Sequence, residues 1–69
     1  MIIKWVDGFS IAVSEANSTV TISANREGLQ SRAGQLATLA DAVPGDHIHY
    51  DEFNSLEEGS VEMIIERVL

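Results

Sequence analysis

Between Asn25 and Gly45 the chain changes from the two-residue alternation of strands to the period of a helix, and it does so only once. Leu29, Ala33, Leu36, Ala40 and Val43 recur there at steps of three and four, which predicts an amphipathic helix with that stripe turned to the core. Asn25 is placed to cap it and Glu27 falls in the first turn, where the helix dipole favours an anion. The helix should stop near Ala42, because Pro44 biases its predecessor away from helical geometry and Gly45 gives a flexible exit. Gly28 and Gly34 each cost about 1 kcal/mol relative to alanine inside a helix. A close approach of helix to sheet is the expected compensation. One such helix covers one face of a sheet, so the remainder of the chain must supply a sheet whose other face stays open.

The remainder reads as strand. "IIKWV" and "FSIAV" flank Asp7-Gly8, a strong two-residue hairpin signal because the favoured turn needs positive φ at both positions. Pairing Val6 with Phe9 puts Ile2, Val6, Phe9, Ile11 and Val13 on one face, with Lys4 among them, and Ile3, Trp5, Ser10, Ala12 and Ser14 on the other. "TVTISA" follows the turn-rich "EANS", and pairing Ser14 with Thr19 sets Val13 against Val20, Ile11 against Ile22 and Phe9 against Ala24. After the helix "HIHYDEF" alternates again and "VEMIIERVL" closes the chain. Between them Asn54 and Glu57 have capping-box spacing and Gly59 is placed as a terminator. The expected fold is a single α+β domain over residues 1–69, a two-layer sandwich in the order β-β-β-α-β-β with one helix on one face of a mainly antiparallel sheet.

Length and charge then limit what this fold can do. In 69 residues there is room for one small core and little for a cofactor cleft, so no cofactor is expected. Apolar burial at this size barely exceeds the ordering cost, which keeps a homodimer open. No cysteine is present to form a disulfide or a thiolate metal site. The apolar runs fall far short of the ~20 residues of a membrane span, and a cytoplasmic protein is expected. Eleven acidic residues against four basic ones give a formal net charge of −7. That charge repels nucleic acid and anionic membranes, and it favours a basic protein partner.

Residues 46–62, "DHIHYDEFNSLEEGSVE", hold both histidines and six carboxylates without a lysine or arginine. If Ile48 and Tyr50 point inward, His47, His49 and Asp51 share a face, and alternate histidines on a strand can chelate one metal ion with Asp51 or Glu62 as third ligand. The plainer reading is surface histidines beside carboxylates, since His-x-His alone is a weak motif. Asp51 and Glu52 point to opposite faces and cannot pair as acid and base, Glu57 and Glu58 fall in a turn, and no nucleophile or oxyanion donor accompanies them. "AVPGD" lacks the context and lysine of a phosphate loop. The chain is therefore not expected to be an enzyme. Trp5 and Ile3 fall on the face opposite the helix, where an exposed aromatic would anchor an interface. Glu62, Ile64 and Glu66 join that face if Val61, Met63 and Ile65 are buried. The candidate partner-binding set is Trp5, Asp46, His47, His49, Asp51, Glu57, Glu58, Glu62 and Glu66, a mixture of apolar anchor and carboxylates suited to docking a basic protein.

Residues 22–68, "ISANREGLQSRAGQLATLADAVPGDHIHYDEFNSLEEGSVEMIIERV", resemble the immunity protein 32 family of bacterial polymorphic-toxin systems. The resemblance lies in the "NREGL" helix start, the "HIHYDEFNSLEEGSVE" segment and the "MIIE" strand. It implies stoichiometric neutralisation of a toxin made beside the protein, and no catalytic residues. Many such toxins are nucleases with basic surfaces, on which an acidic inhibitor takes the place of the phosphate backbone. Two other readings stand beside it. One is a small metal- or ligand-binding domain centred on His47 and His49, and the other is a homodimeric module joined through the open sheet face.

Overall fold

The computed structural model describes residues 2–69, with Met1 of the expected 1–69 domain outside the described residues. It is an α+β fold: β1 (Ile11–Ala16), β2 (Thr19–Ala24), α1 (Arg26–Ala40), β3 (His47–Tyr50) and β4 (Met63–Glu66). The strands form two antiparallel ribbons, β1–β2 and β3–β4, instead of one continuous layer. The order among the described residues is thus β-β-α-β-β, and the expected first strand does not form.

Its absence has a local cause. A turn closes at Asp7-Gly8, with Phe9 N donating to Val6 O at 3.2 Å, but only Gly8 has positive φ, at 85°, and not both residues as the expected hairpin turn requires. Upstream of it, however, the helix takes the backbone groups that a strand would use. Gln35 Nε2 donates to Lys4 O at 2.9 Å, and Val6 N donates to Ser31 Oγ at 2.8 Å. Asn25 does the same on the other side of the turn, accepting from Ser10 N and donating to Gly8 O. Side-chain groups that satisfy a backbone compete directly with a ladder. The free edge of β1 goes to a distant segment: Glu57 N donates to Ile11 O at 2.9 Å, Val61 N to Val13 O at 2.8 Å, and Val13 N to Ser60 Oγ at 3.1 Å.

The β1–β2 register differs from expectation by two residues. Ile11 faces Ala24, Val13 faces Ile22 and Ser14 faces Thr21. The connection is the two-residue turn Asn17-Ser18, with φ 52° and 64°, and not the longer loop expected from "EANS". Asparagine tolerates that left-handed geometry better than most residues. A shift of two keeps every side chain on its face. Ile11 and Val13 are accordingly buried as expected, whereas Val20 and Ile22 are exposed on the outer strand.

The helix overturns the expectation for its faces. Asn25 caps it as expected, its Oδ1 accepting from Gly28 N at 2.7 Å. The residues turned inward are Gly28, Ser31, Arg32, Gln35 and Leu39. The apolar stripe points outward instead, with Leu29 57 %, Leu36 42 % and Val43 66 % exposed, and Ala33 and Ala40 exposed beside them. Two contacts fix this orientation. A Cβ on Gly28 would stand 2.5 Å from Ser10 O and 2.9 Å from Ile11 Cγ1, so only glycine lets the helix start lie so close to β1. One turn and two turns later, Ser31 and Gln35 hold the 2–6 segment by its backbone. Gly34 meets nothing within 4 Å, so the expected close approach holds for Gly28 alone.

The core consists of Ile11, Val13, Leu39, Ile48, Tyr50 and Leu56, with Ile3, Trp5, Phe9, Ala24, Ala42, Met63 and Ile65 packed around it. Leu56 comes from the connection between β3 and β4. The Asn54/Glu57 capping box does not form there. Asp51 organises the turn, its Oδ1 accepting from Phe53 N and Asn54 N at 2.9 Å each and its carbonyl from Leu56 N at 2.8 Å. Among the described residues no helix is long and apolar enough to cross a membrane.

Candidate functional site

β3 and β4 pair with His47 opposite Glu66, Ile48 opposite Ile65, His49 opposite Ile64 and Tyr50 opposite Met63. Strand alternation therefore sorts the ribbon into two faces. Ile48 and Tyr50 are buried and Met63 and Ile65 half-buried on one, while His47, His49, Ile64 and Glu66 are exposed on the other. Glu62, just before β4, extends the exposed face toward Asp51. The β3–β4 part of the expected open face, Glu62, Ile64 and Glu66, is exposed, although Val61 is exposed and not buried.

Three members of the candidate set converge. His49 Nε2 lies 3.2 Å from Glu62 Oε1 and 3.9 Å from Asp51 Oδ2. These imidazole–carboxylate contacts, ionic only when His49 is protonated, are the salt-bridge contacts found among the described residues, and neither involves a lysine or an arginine. His47 does not join them, so the expected set of His47, His49 and Asp51 gives way to His49, Asp51 and Glu62. The turn after β3 braces this group: Asn54 Nδ2 donates to His49 O at 2.8 Å, and Asn54 Oδ1 accepts from Asp51 N at 3.2 Å.

The remaining candidates lie apart. Asp46 is half-buried beyond the helix end near Thr38, Asp41 and Val43. Glu57 is exposed but engaged, its Oε1 accepting from Ser10 Oγ at 3.0 Å. Glu58 and Glu66 are exposed. Trp5 corrects the expectation of an open aromatic opposite the helix. It is half-buried, stacked on Phe9 with ring centroids 4.3 Å apart and set edge-on to Tyr50 at 6.3 Å. The backbone bonds from Ser31 and Gln35 to residues 6 and 4 carry it inward beside the helix. One side still lines a shallow depression with Ile3, His47 and His49.

Behind the ribbon is a polar interior that the sequence reading missed. Tyr50 OH donates to Gln35 Oε1 at 2.7 Å, and the Arg32 guanidinium lies 4.3 Å from the Tyr50 ring centroid. Burial pushes the Tyr50 phenol above its ordinary value, and the Arg32 charge partly offsets that rise. Arg32 Nε and Nη2 are buried without a hydrogen-bond partner among the described residues, and the face of Tyr50 is a contact that offsets part of the cost of burying this charge. The i, i+3, i+4, i+7 spacing of Gly28, Ser31, Arg32 and Gln35 was the available signal, but it reads as a solvated helix face.

The geometry defines a small α+β domain whose exposed functional groups are imidazoles and carboxylates on one ribbon. The family model for immunity protein 32 matches residues 19–68, most of the chain, and the chain belongs to that family. No match was found among curated proteins or among solved structures. The family is one of immunity proteins, which are generally not enzymes, and it implies a toxin as partner.

Proposed function

We propose that this chain binds a cognate toxin stoichiometrically and neutralises it, without catalysis, and that the surface it meets on the toxin is basic. Family membership supplies the immunity role, and one observation supplies the chemistry. Residues 33–66 contain eight carboxylates and no lysine or arginine. The ion pairs among the described residues involve only His49, so this acidity is not neutralised from elsewhere in the fold. Unpaired exposed carboxylates raise the encounter rate with a positive partner and repel wrong ones.

The contact surface is the outer face of β3–β4 with Glu62 and Glu66 and the exposed flank of Trp5 beside His47 and His49. Glu57 and Glu58 in the connection between the two strands and Asp46 beyond the helix end lie apart from it and add to the same negative field. A nuclease domain is the toxin chemistry this charge fits best, because a surface evolved for phosphate is basic and carboxylates can occupy it. Such a toxin acts on nucleic acid in the cytoplasm, which is where the chain would have to intercept it.

The test is to mix the chain with the toxin domain encoded beside it. The reading expects a one-to-one complex and restored growth of cells expressing the toxin. Absence of a complex, or a complex without protection, contradicts it.

A further inference from the structure

His49, Asp51 and Glu62 pose a chemical question that the docking role leaves unanswered. Two carboxylate oxygens converge on a single imidazole nitrogen, at 3.2 and 3.9 Å, and each of the three residues offers one ligand atom within 4.8 Å of those of the other two. One Nε2–H can serve only one of them well, and a neutral Nε2 carrying a lone pair repels both. Atoms bound to one ion at ~2.1 Å stand about 3.0 Å apart in octahedral and about 3.4 Å apart in tetrahedral geometry. The 3.2 Å spacing of His49 and Glu62 falls in that range, and a rotation of the Asp51 carboxylate would bring its 3.9 Å spacing to the same value.

The geometry points to a divalent transition-metal site formed by His49 Nε2, Asp51 Oδ2 and Glu62 Oε1. Two features make it more than a chance meeting of surface charges. The first is division of labour on Asp51: its Oδ1 is held by Phe53 N and Asn54 N, which leaves Oδ2 aimed at His49. The second is the Asn54 brace, whose side chain bonds both His49 O and Asp51 N and so fixes the backbone from which two ligands project. Anchored ligands lose less freedom on binding, and a ligating carboxylate that is itself hydrogen-bonded, as Asp51 is through Oδ1, is the kind of supporting contact that orients ligands in metal sites.

Ligand chemistry selects the ion. One imidazole and two carboxylates, without thiolate, suit Zn²⁺ and its first-row neighbours, whereas Mg²⁺ and Ca²⁺ prefer oxygen alone. Three protein ligands leave at least one coordination position to water or to an incoming group. The site also answers the local charge, since a divalent cation balances two carboxylates that no lysine or arginine pairs. This inference is independent of toxin binding, and its test requires no toxin.

The experiment is calorimetric titration of the full chain with Zn²⁺, with Mg²⁺ and Ca²⁺ run in parallel, and circular dichroism to establish that each variant is folded. The expected result is one Zn²⁺ per chain, weakened at least about tenfold in His49→Gln and in Glu62→Gln. His47→Gln separates this site from chelation by the His-x-His pair, and it should bind Zn²⁺ within about twofold of the parent. No Zn²⁺ binding by the parent chain overturns the proposal. So does a folded His49→Gln or Glu62→Gln that binds as well as the parent, or a loss in His47→Gln as large as in His49→Gln.

Discussion

The two ribbons are alike in plan and opposite in use. Each pairs two short antiparallel strands and turns one face to the same core, Ile11 and Val13 from β1–β2 and Ile48 and Tyr50 from β3–β4. The β1 strand is gripped on both edges, by β2 on one side and by residues 57–61 on the other, and the helix start rests on it through Gly28. Its partner strand shows the solvent mostly Thr19, Thr21 and Ser23 together with Val20 and Ile22. The β3–β4 ribbon shows imidazoles and carboxylates instead. A small domain with one core can thus divide its labour, one ribbon carrying the anchoring of the fold and the other the chemistry of its surface.

That division can be broken by mutation, and the largest effects should fall on the anchoring ribbon. Ile11 is 0 % exposed and Ile22 is 43 % exposed, although both belong to β1–β2. Ile11→Ala should cost about 2–5 kcal/mol, as expected for a buried isoleucine cut back to alanine, and Ile22→Ala much less. Urea unfolding of the two variants checks this, and equal losses would mean that β2 is packed as tightly as β1.

The glycine pair sharpens the same contrast inside the helix. Gly28→Ala places a methyl group against the Ser10 carbonyl and Ile11, so it should lose about 1–3 kcal/mol despite the better helix propensity of alanine. Gly34→Ala meets nothing and should gain roughly 0.5–1 kcal/mol. Melting temperatures that move in the same direction for both would place the close helix contact elsewhere.

On the β3–β4 side the buried polar group is Tyr50. Its phenol is raised above the ordinary value near 10 by burial, so the unfolded chain ionises first as pH rises. The corresponding stability is fully present below that ordinary value and is lost as pH climbs toward the folded-state value. Tyr50→Phe should remove this alkaline loss. It should also cost about 1–3 kcal/mol at neutral pH by stranding Gln35 Oε1. Denaturation midpoints from pH 7 to 11 report both effects, and identical pH curves for parent and variant would contradict the assignment.

How much of this was legible in the sequence depended on whether the signal was local. Asn25 as helix cap, a turn at Asp7-Gly8 and the inward Ile48 and Tyr50 all follow from neighbours a few residues apart, and the structure has each of them, although that turn has positive φ at Gly8 alone. The faces of β1 also survived a register error, because the Asn17-Ser18 turn shifted the pairing by an even number. What failed was decided at long range. The edge of β1 went to residues 57–61, and a hydrophobic period carries no trace of a bond spanning so much chain. The helix turned its polar stripe inward because Ser31 and Gln35 bind the backbone of the 2–6 segment, and such bonds look like ordinary surface polarity until the partner is known. In the candidate site the shared strand face of His49 and Asp51 was readable. That Glu62, and not His47, completes the cluster depended on the β3–β4 register and on the Asp51 turn.

The central functional claim is that uncompensated carboxylates of the β3–β4 side draw in a basic toxin. Glu58 and Glu66 are exposed and lie outside the His49 cluster, so Glu58→Lys with Glu66→Lys changes the field and leaves the fold and the proposed metal ligands in place. The decisive measurement is the association rate of this double variant with the toxin domain across a range of salt. At low salt the variant should associate at least about tenfold more slowly than the parent, with the gap closing as ions screen the field and the melting temperature nearly unchanged. Equal rates at every ionic strength would contradict the claim.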